Sequence, residues 1–420
     1  MDMRETMARI MALTTVVLIG LMITLFAWQQ KGRMEALQTR VDPQEWSALY
    51  PLHVAAFLRG AERDAGELTD KLAANPFRIR AWAGNAFSLE YNQSRAHYYA
   101  HIDQHQSRRT QERSQPAGCI HCHAAEAPQL TQEFGWDALN AMMYDNIQHR
   151  VHHGSTCTDC HAADTMALQV NRPALINALS QQGIDINEAT RHEMRSYVCA
   201  QCHVEYYFRT GTQELIFPWA NGLLLEDMET FYDDIGFSDW QHAETGAGLI
   251  KIQHPNFELH STGVHARHDT SCADCHMPAV QDGGMRVTDH AGGNPLDRVE
   301  AACMSCHSGS TPDRLTARSH RIQQNTRALM DTTEAAMTAL MDAIVEASES
   351  DVSGSGVGEE ALEAARGAHR QAHIRWDFID ADASLGFHAQ QEAVRLLTEA
   401  TRIARDAVDA LSSSSPATNQ

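Results

Sequence analysis

Five times between residues 119 and 307 the chain repeats one pattern: two cysteines separated by two residues, then a histidine. The pairs are Cys119/Cys122, Cys157/Cys160, Cys199/Cys202, Cys272/Cys275 and Cys303/Cys306, followed by His123, His161, His203, His276 and His307. They use all ten cysteines. Chance would supply about 0.01 such patterns at this composition. Two cysteines at this spacing can form thioethers with the two vinyl groups of one haem, and the next residue then lies under the iron. That residue must offer a nitrogen lone pair, which neutral imidazole does. Zinc ribbons do not need a histidine after every pair, and a dithiol enzyme needs only one pair. The pattern predicts five covalently bound haem c groups and leaves no cysteine for a disulfide.

Such a chain needs little sheet, because haems fill an interior that side chains would otherwise occupy. From Asp42 to Ser310 the hydrophobic periodicity is weak and broken by Gly, Asn, Asp and Pro. After Pro312 it becomes helical: Leu315 to Ala347 with Ile322, Leu329, Met337, Leu340 and Ile344 on one face, then Glu359 to Asp380, then Ala389 to Leu411. Ser348 to Gly358 reads as a turn. The expected fold class is mainly α: a multihaem cytochrome c body with long C-terminal helices and little sheet. Residues 1–40 form an anchor and stalk, 41–310 the pentahaem body, 311–411 a long-helix region suited to a dimer seam, and 412–420 a disordered tail.

Haem c is attached outside the bacterial cytoplasm, so an export signal is expected. Ile10 to Trp28 carries no charge and as a helix spans about 28 Å, close to a bilayer core. Leu25-Phe26-Ala27-Trp28 makes a poor cleavage site, which favours an uncleaved anchor with the bulk of the chain facing the periplasm. A formal charge of −21 makes nucleic acid an unsuitable partner.

Five haems offer ten axial positions, and the pattern fills five. The chain has 24 histidines, so counting cannot name the rest. Five haems each with two histidines make a wire; an open iron makes an enzyme possible.

Particular segments carry a resemblance. Cys199-Ala-Gln-Cys-His-Val-Glu-Tyr-Tyr-Phe208, Lys251-Ile-Gln-His-Pro255, Cys272-Ala-Asp-Cys-His-Met-Pro278 and Thr288-Asp-His290 resemble the ammonia-forming cytochrome c nitrite reductases. So do Phe217-Pro-Trp219 and Phe237-Ser-Asp-Trp240. The resemblance implies six-electron reduction of nitrite to ammonium, with hydroxylamine and nitric oxide as further substrates, at the open haem held by Cys119 and Cys122. By matched segments, His97 would be the distal ligand of the third haem, His290 of the second, His265 of the fifth and His388 of the fourth. The resemblance places Arg109, Tyr206 and His254 around the open iron, with Arg109 preferred over its neighbour Arg108 by its spacing from His97. It also implies one calcium ion held by Glu205, Gln253 and the backbone carbonyls of Tyr206 and Lys251, all oxygen donors as a hard cation needs.

The chain departs from that family at one point. Most members attach the active-site haem through Cys-x-x-Cys-Lys, whereas here His123 is the expected proximal ligand, so rate and substrate preference are open. His121 inside the motif reads as incidental. The resemblance further implies a homodimer and an electron donor that is either a membrane quinol-oxidising multihaem cytochrome or a soluble cytochrome. The competing readings are a non-enzymatic pentahaem electron carrier and a hydroxylamine-oxidising relative.

Overall fold

The computed structural model describes residues 3–352 and 358–414. The first helix, Met3–Gln38, runs unbroken through the expected anchor and stalk, and its apolar side chains from Leu13 to Phe26 are exposed. Among the described residues no helix is long and apolar enough to cross a membrane. The side chains of Ile10 and Ala12, inside the uncharged run, lie outside that description.

From Pro51 to Ala302 the chain forms short helices and single turns, the longest being Pro51–Arg63, Arg191–Ala200 and Leu225–Asp234. Strand is confined to three antiparallel two-stranded ribbons among the described residues: Tyr207–Phe208 with Leu215–Ile216, Trp240–Gln241 with Gly248–Leu249, and Ala279–Asp282 with Met285–Thr288. The fold is mainly helical, as the sequence predicts. Each haem-attachment pattern falls in or beside one helical turn, such as Ile120–His123 and Cys272–His276. Residues three and four apart share a face of such a turn, so both thiols and the imidazole point to one side.

Three long helices close the chain: Pro312–Val352, Glu359–Ala381 and Gln390–Ser414. Their apolar residues face one another. Met337, Leu340 and Ile344 of the first, Leu362 and Ile379 of the second, and Leu396 and Leu397 of the third are buried in one core. Each such side chain contributes about 1.5–3 kcal/mol. The same core takes in Trp82, Tyr91, Tyr232, Ile250 and Ile252 of the body, so the bundle is docked behind the Lys251–Pro255 segment.

Two boundaries differ from expectation. The first long helix continues to Val352, past the Ser348 start of the expected turn, whose residues 353–357 lie outside the described residues. The last helix continues to Ser414, into the expected tail, because Leu411 is buried and the Ser412 and Ser413 hydroxyls donate to carbonyls four residues back. Residues 415–420 lie outside the described residues.

A haem-binding cavity and a candidate active site

One continuous cavity of about 2400 Å³ runs through the body. Single-ligand pockets are typically about 300–1,000 Å³, so this space suits several large groups. Every motif histidine and every motif cysteine but Cys119 lines it. None of the ten cysteines forms a disulfide, which leaves their sulfurs for thioethers.

Across this cavity four motif histidines each face a second imidazole. The ring centres are 6.1 Å apart for His203 and His97, 6.1 Å for His161 and His290, 6.1 Å for His276 and His388, and 6.3 Å for His307 and His265. Two metal–imidazole bonds of about 2.0 Å, plus the distance from each ring centre to its ligating nitrogen, span about 6 Å. The spacing therefore fits one metal held between each pair.

The outward nitrogens are anchored. His123 Nδ1 lies 3.0 Å from Ala100 O, His161 Nδ1 2.7 Å from Met166 O, and His276 Nδ1 3.0 Å from Gly293 O. Among the facing rings, His290 Nδ1 lies 2.9 Å from Thr288 O and His388 Nδ1 2.8 Å from Asp382 Oδ1. An oxygen that can only accept makes Nδ1 the donor, so the Nε2 lone pair is turned to the cavity as metal ligation requires.

The loop that presents His388 depends on two glycines. Gly386 sits at φ +80°, where its missing side chain would run into Thr326 Oγ1. Any Cβ on Gly263 would stand 2.0 Å from the His388 carbonyl oxygen. Asp382 joins two of the pairs: its Oδ1 accepts from His388 and, at 2.7 Å, from Asn256 Nδ2, while Asn256 Oδ1 lies 3.3 Å from His203 Nδ1. Burial opposes ionisation of Asp382, yet the hydrogen bonds from His388, Ser384 and Asn256 hold its carboxyl below the usual range. Neither Asp382 nor Asn256 has a sequence signal beyond lying near a histidine.

His123 has no such facing ring among the described residues. Its surroundings are of another kind. Arg109, Tyr206 and His254 line the same cavity, and charge effects connect Arg109 with His123 and with Tyr206, and His123 with His254. Burial pushes the Tyr206 phenol well above its ordinary value and His254 well below, so at neutral pH they are a protonated phenol and a neutral imidazole. Arg109 lays its guanidinium over the Phe87 ring, 4.1 Å from its centre. Arg108 points outward and pairs with Glu112 at 2.7 Å, half exposed.

Of the expected calcium ligands, Glu205, Gln253 and Lys251 are joined to one another by hydrogen bonds. Glu205 is fully buried; its carboxylate accepts from Tyr232 Oη at 2.8 Å and from Gln253 N at 2.6 Å. The Gln253 side chain reaches the Lys251 carbonyl, 2.9 Å away. Burial, with Asp239 and Glu258 nearby, pushes Glu205 well above the carboxylate range. A buried carboxyl, a side-chain amide and a backbone carbonyl connected in this way supply oxygen donors of the kind a hard divalent cation takes. The Lys251 amine is turned away from it, onto Asp377 and the Ile252 carbonyl.

The cytochrome c552 family profile matches residues 42–418. The chain belongs to the cytochrome c552 family. It is 35% identical over 418 residues to a cytochrome c-552 of Aliarcobacter butzleri strain RM4018, covering 94% of this chain and 82% of that protein. A cytochrome c-552 of Parabacteroides distasonis is 36% identical over 360 residues, covering 84% and 71%. The solved structure of the cytochrome c nitrite reductase catalytic subunit from Desulfovibrio desulfuricans ATCC 27774 matches with a TM-score of 0.82 at 27% identity, covering 90% of this chain and 87% of that one. Membership of this cytochrome c552 and nitrite reductase family brings covalent haem c, and the cavity and its donors fit that group.

Proposed function

We propose that this cytochrome c552 reduces nitrite to ammonium at the haem attached through Cys119, Cys122 and His123. The observation that carries the reading is the contrast within one cavity: four motif histidines face a second imidazole, while the surroundings of His123 are a guanidinium, a phenol and a neutral imidazole. A cation and two hydrogen-bond donors suit a small anion whose oxygens must leave as water.

Nitrite takes up six electrons and eight protons to give ammonium and two waters. Haem, when bound, supplies the iron and the electrons. Arg109 holds the anion and stabilises charge developing on its oxygens. Tyr206 and His254 donate hydrogen bonds to those oxygens and pass protons to them. His97, His290, His265 and His388 complete the other four haems, five in all, as an electron store beside the site. Hydroxylamine and nitric oxide are further substrates of the same site. A calcium ion on Glu205, Gln253 and the carbonyls of Tyr206 and Lys251 holds the two chain segments that carry Tyr206 and His254.

The haem-bearing body works on the periplasmic side of the membrane. The uncharged run from Ile10 to Trp28 supports tethering through the first helix. The electron donor is a multihaem quinol-oxidising or soluble cytochrome. The outer faces of the C-terminal helices, such as that bearing the exposed Val394, are where a second copy would pack.

The function is tested by viologen-driven turnover with ammonium quantified. About six reducing equivalents per nitrite, with ammonium as the sole nitrogen product, are expected. Haem-replete protein that consumes no nitrite contradicts the reading.

A further inference from the structure

The cavity wall next to Arg109 holds a second cation with no part in the chemistry above. Lys71 opens a single helical turn, Lys71–Ala74, capped by Asp70, whose carboxylate accepts from Leu72 N–H at 2.7 Å. The Lys71 N–H donates to the Tyr91 carbonyl at 2.8 Å, and its ammonium donates to the Tyr91 hydroxyl at 3.0 Å. Tyr91 packs on Phe87 with ring centres 5.7 Å apart, and Phe87 in turn carries Arg109 on its face. Lys71, Tyr91, Phe87 and Arg109 are thus one contiguous patch, and all four line the cavity.

Charge balance sets Lys71 apart from its neighbours. Two other cations are sunk behind the patch, and each has its own carboxylate from the helix Glu359–Ala381. Asp380 accepts two hydrogen bonds from Arg78, at 2.6 and 2.9 Å, and Asp377 two from Lys251, both 2.9 Å. Among the described residues neither Lys71 nor Arg109 has a carboxylate at ion-pair distance. Two cations without partner carboxylates therefore face the same space. The ammonium is hydrogen-bonded only by a phenol; the more distant Asp380 and Asp377 favour its charge and Arg78 and Lys251 oppose it, so part of its desolvation cost is left for an anion placed against it to remove. Burial pushes Lys71 down to about 8, so it is still largely charged at neutral pH.

We propose that Lys71, braced by Tyr91, is a second cationic residue that positions the oxyanion substrate beside Arg109. This rests on the nitrite-reducing role of the site. The chemistry recognised is a small carboxylate-like or nitrite-like anion, for which a haem propionate is the other source, and the test separates the two.

The oxidised, haem-loaded protein is titrated with nitrite and, separately, with uncharged hydroxylamine, following the optical spectrum without turnover. Lys71→Met is expected to raise the nitrite Kd about tenfold at pH 7, Lys71→Arg to stay within about threefold of wild type, and the hydroxylamine Kd to be unchanged. The advantage of wild type over Lys71→Met should shrink as the pH rises past about 8, because the ammonium then loses its proton. An unchanged nitrite Kd in Lys71→Met, with a shifted haem potential, assigns Lys71 to a propionate and overturns the inference alone. Equal losses for nitrite and hydroxylamine make Lys71 merely structural and overturn it too. A wild-type protein that binds no nitrite overturns the functional reading itself.

Discussion

Replacing Arg109 by alanine is expected to lower kcat/KM for nitrite by about 10²–10³ while haem content and fold are retained. The side chain sits in the cavity wall on Phe87, with charge coupling to His123 and Tyr206, so in the proposed reaction its removal takes away a fixed positive charge where oxide character would develop. Arg109→Lys should recover only part of the loss, since a point charge replaces a planar fork of donors. Arg108→Ala is the matched control. Arg108 is exposed and pairs with Glu112 along its own helix, so its loss should change kcat/KM less than twofold. Steady-state kinetics on haem-quantified protein decide the matter. Equal effects at the two positions would contradict the assignment.

The largest stability effect is expected behind the site. Lys251 and Asp377 form an ion pair with side chains 2% and 0% exposed, and Asp377 also accepts from the Ile252 N–H at 2.8 Å. Asp377→Ala leaves a buried ammonium unpaired and should cost about 3–5 kcal/mol, read from denaturant unfolding of the holoprotein. The double variant Lys251→Met/Asp377→Leu removes both charges and should recover most of that stability. It should not recover full activity, because the segment leading into Gln253 and His254 loses its anchor on the C-terminal helix. A double variant as unstable as Asp377→Ala would show that packing, and not an orphaned charge, sets the cost.

The parts of this molecule legible in its sequence are those fixed by covalent chemistry or local periodicity. The cysteine spacing announces its attachment turns because a thioether bridge needs that separation, and the C-terminal helices announce themselves through Met337, Leu340 and Ile344. The segments around His97, His265, His290 and His388 were legible by resemblance, and each of these rings faces a motif histidine across the cavity. Other features were hidden because their partners meet only in the fold. Lys251 and Asp377 are 126 residues apart, and neither carries a spacing rule. Lys71 belongs to no motif, and only the fold connects it through Tyr91 and Phe87 to Arg109. The serines near the end read as a loose tail, since their composition says nothing of the buried Leu411 that keeps the helix going.

The most direct measurement is electron paramagnetic resonance of the oxidised holoprotein, with the signals quantified per chain. On the proposed ligation, the four haems that His203 and His97, His161 and His290, His276 and His388, and His307 and His265 would hold should give low-spin signals, and the haem that His123 would hold should give one high-spin signal that nitrite alters. Five low-spin signals indifferent to nitrite would contradict an open site and leave the molecule a carrier of electrons.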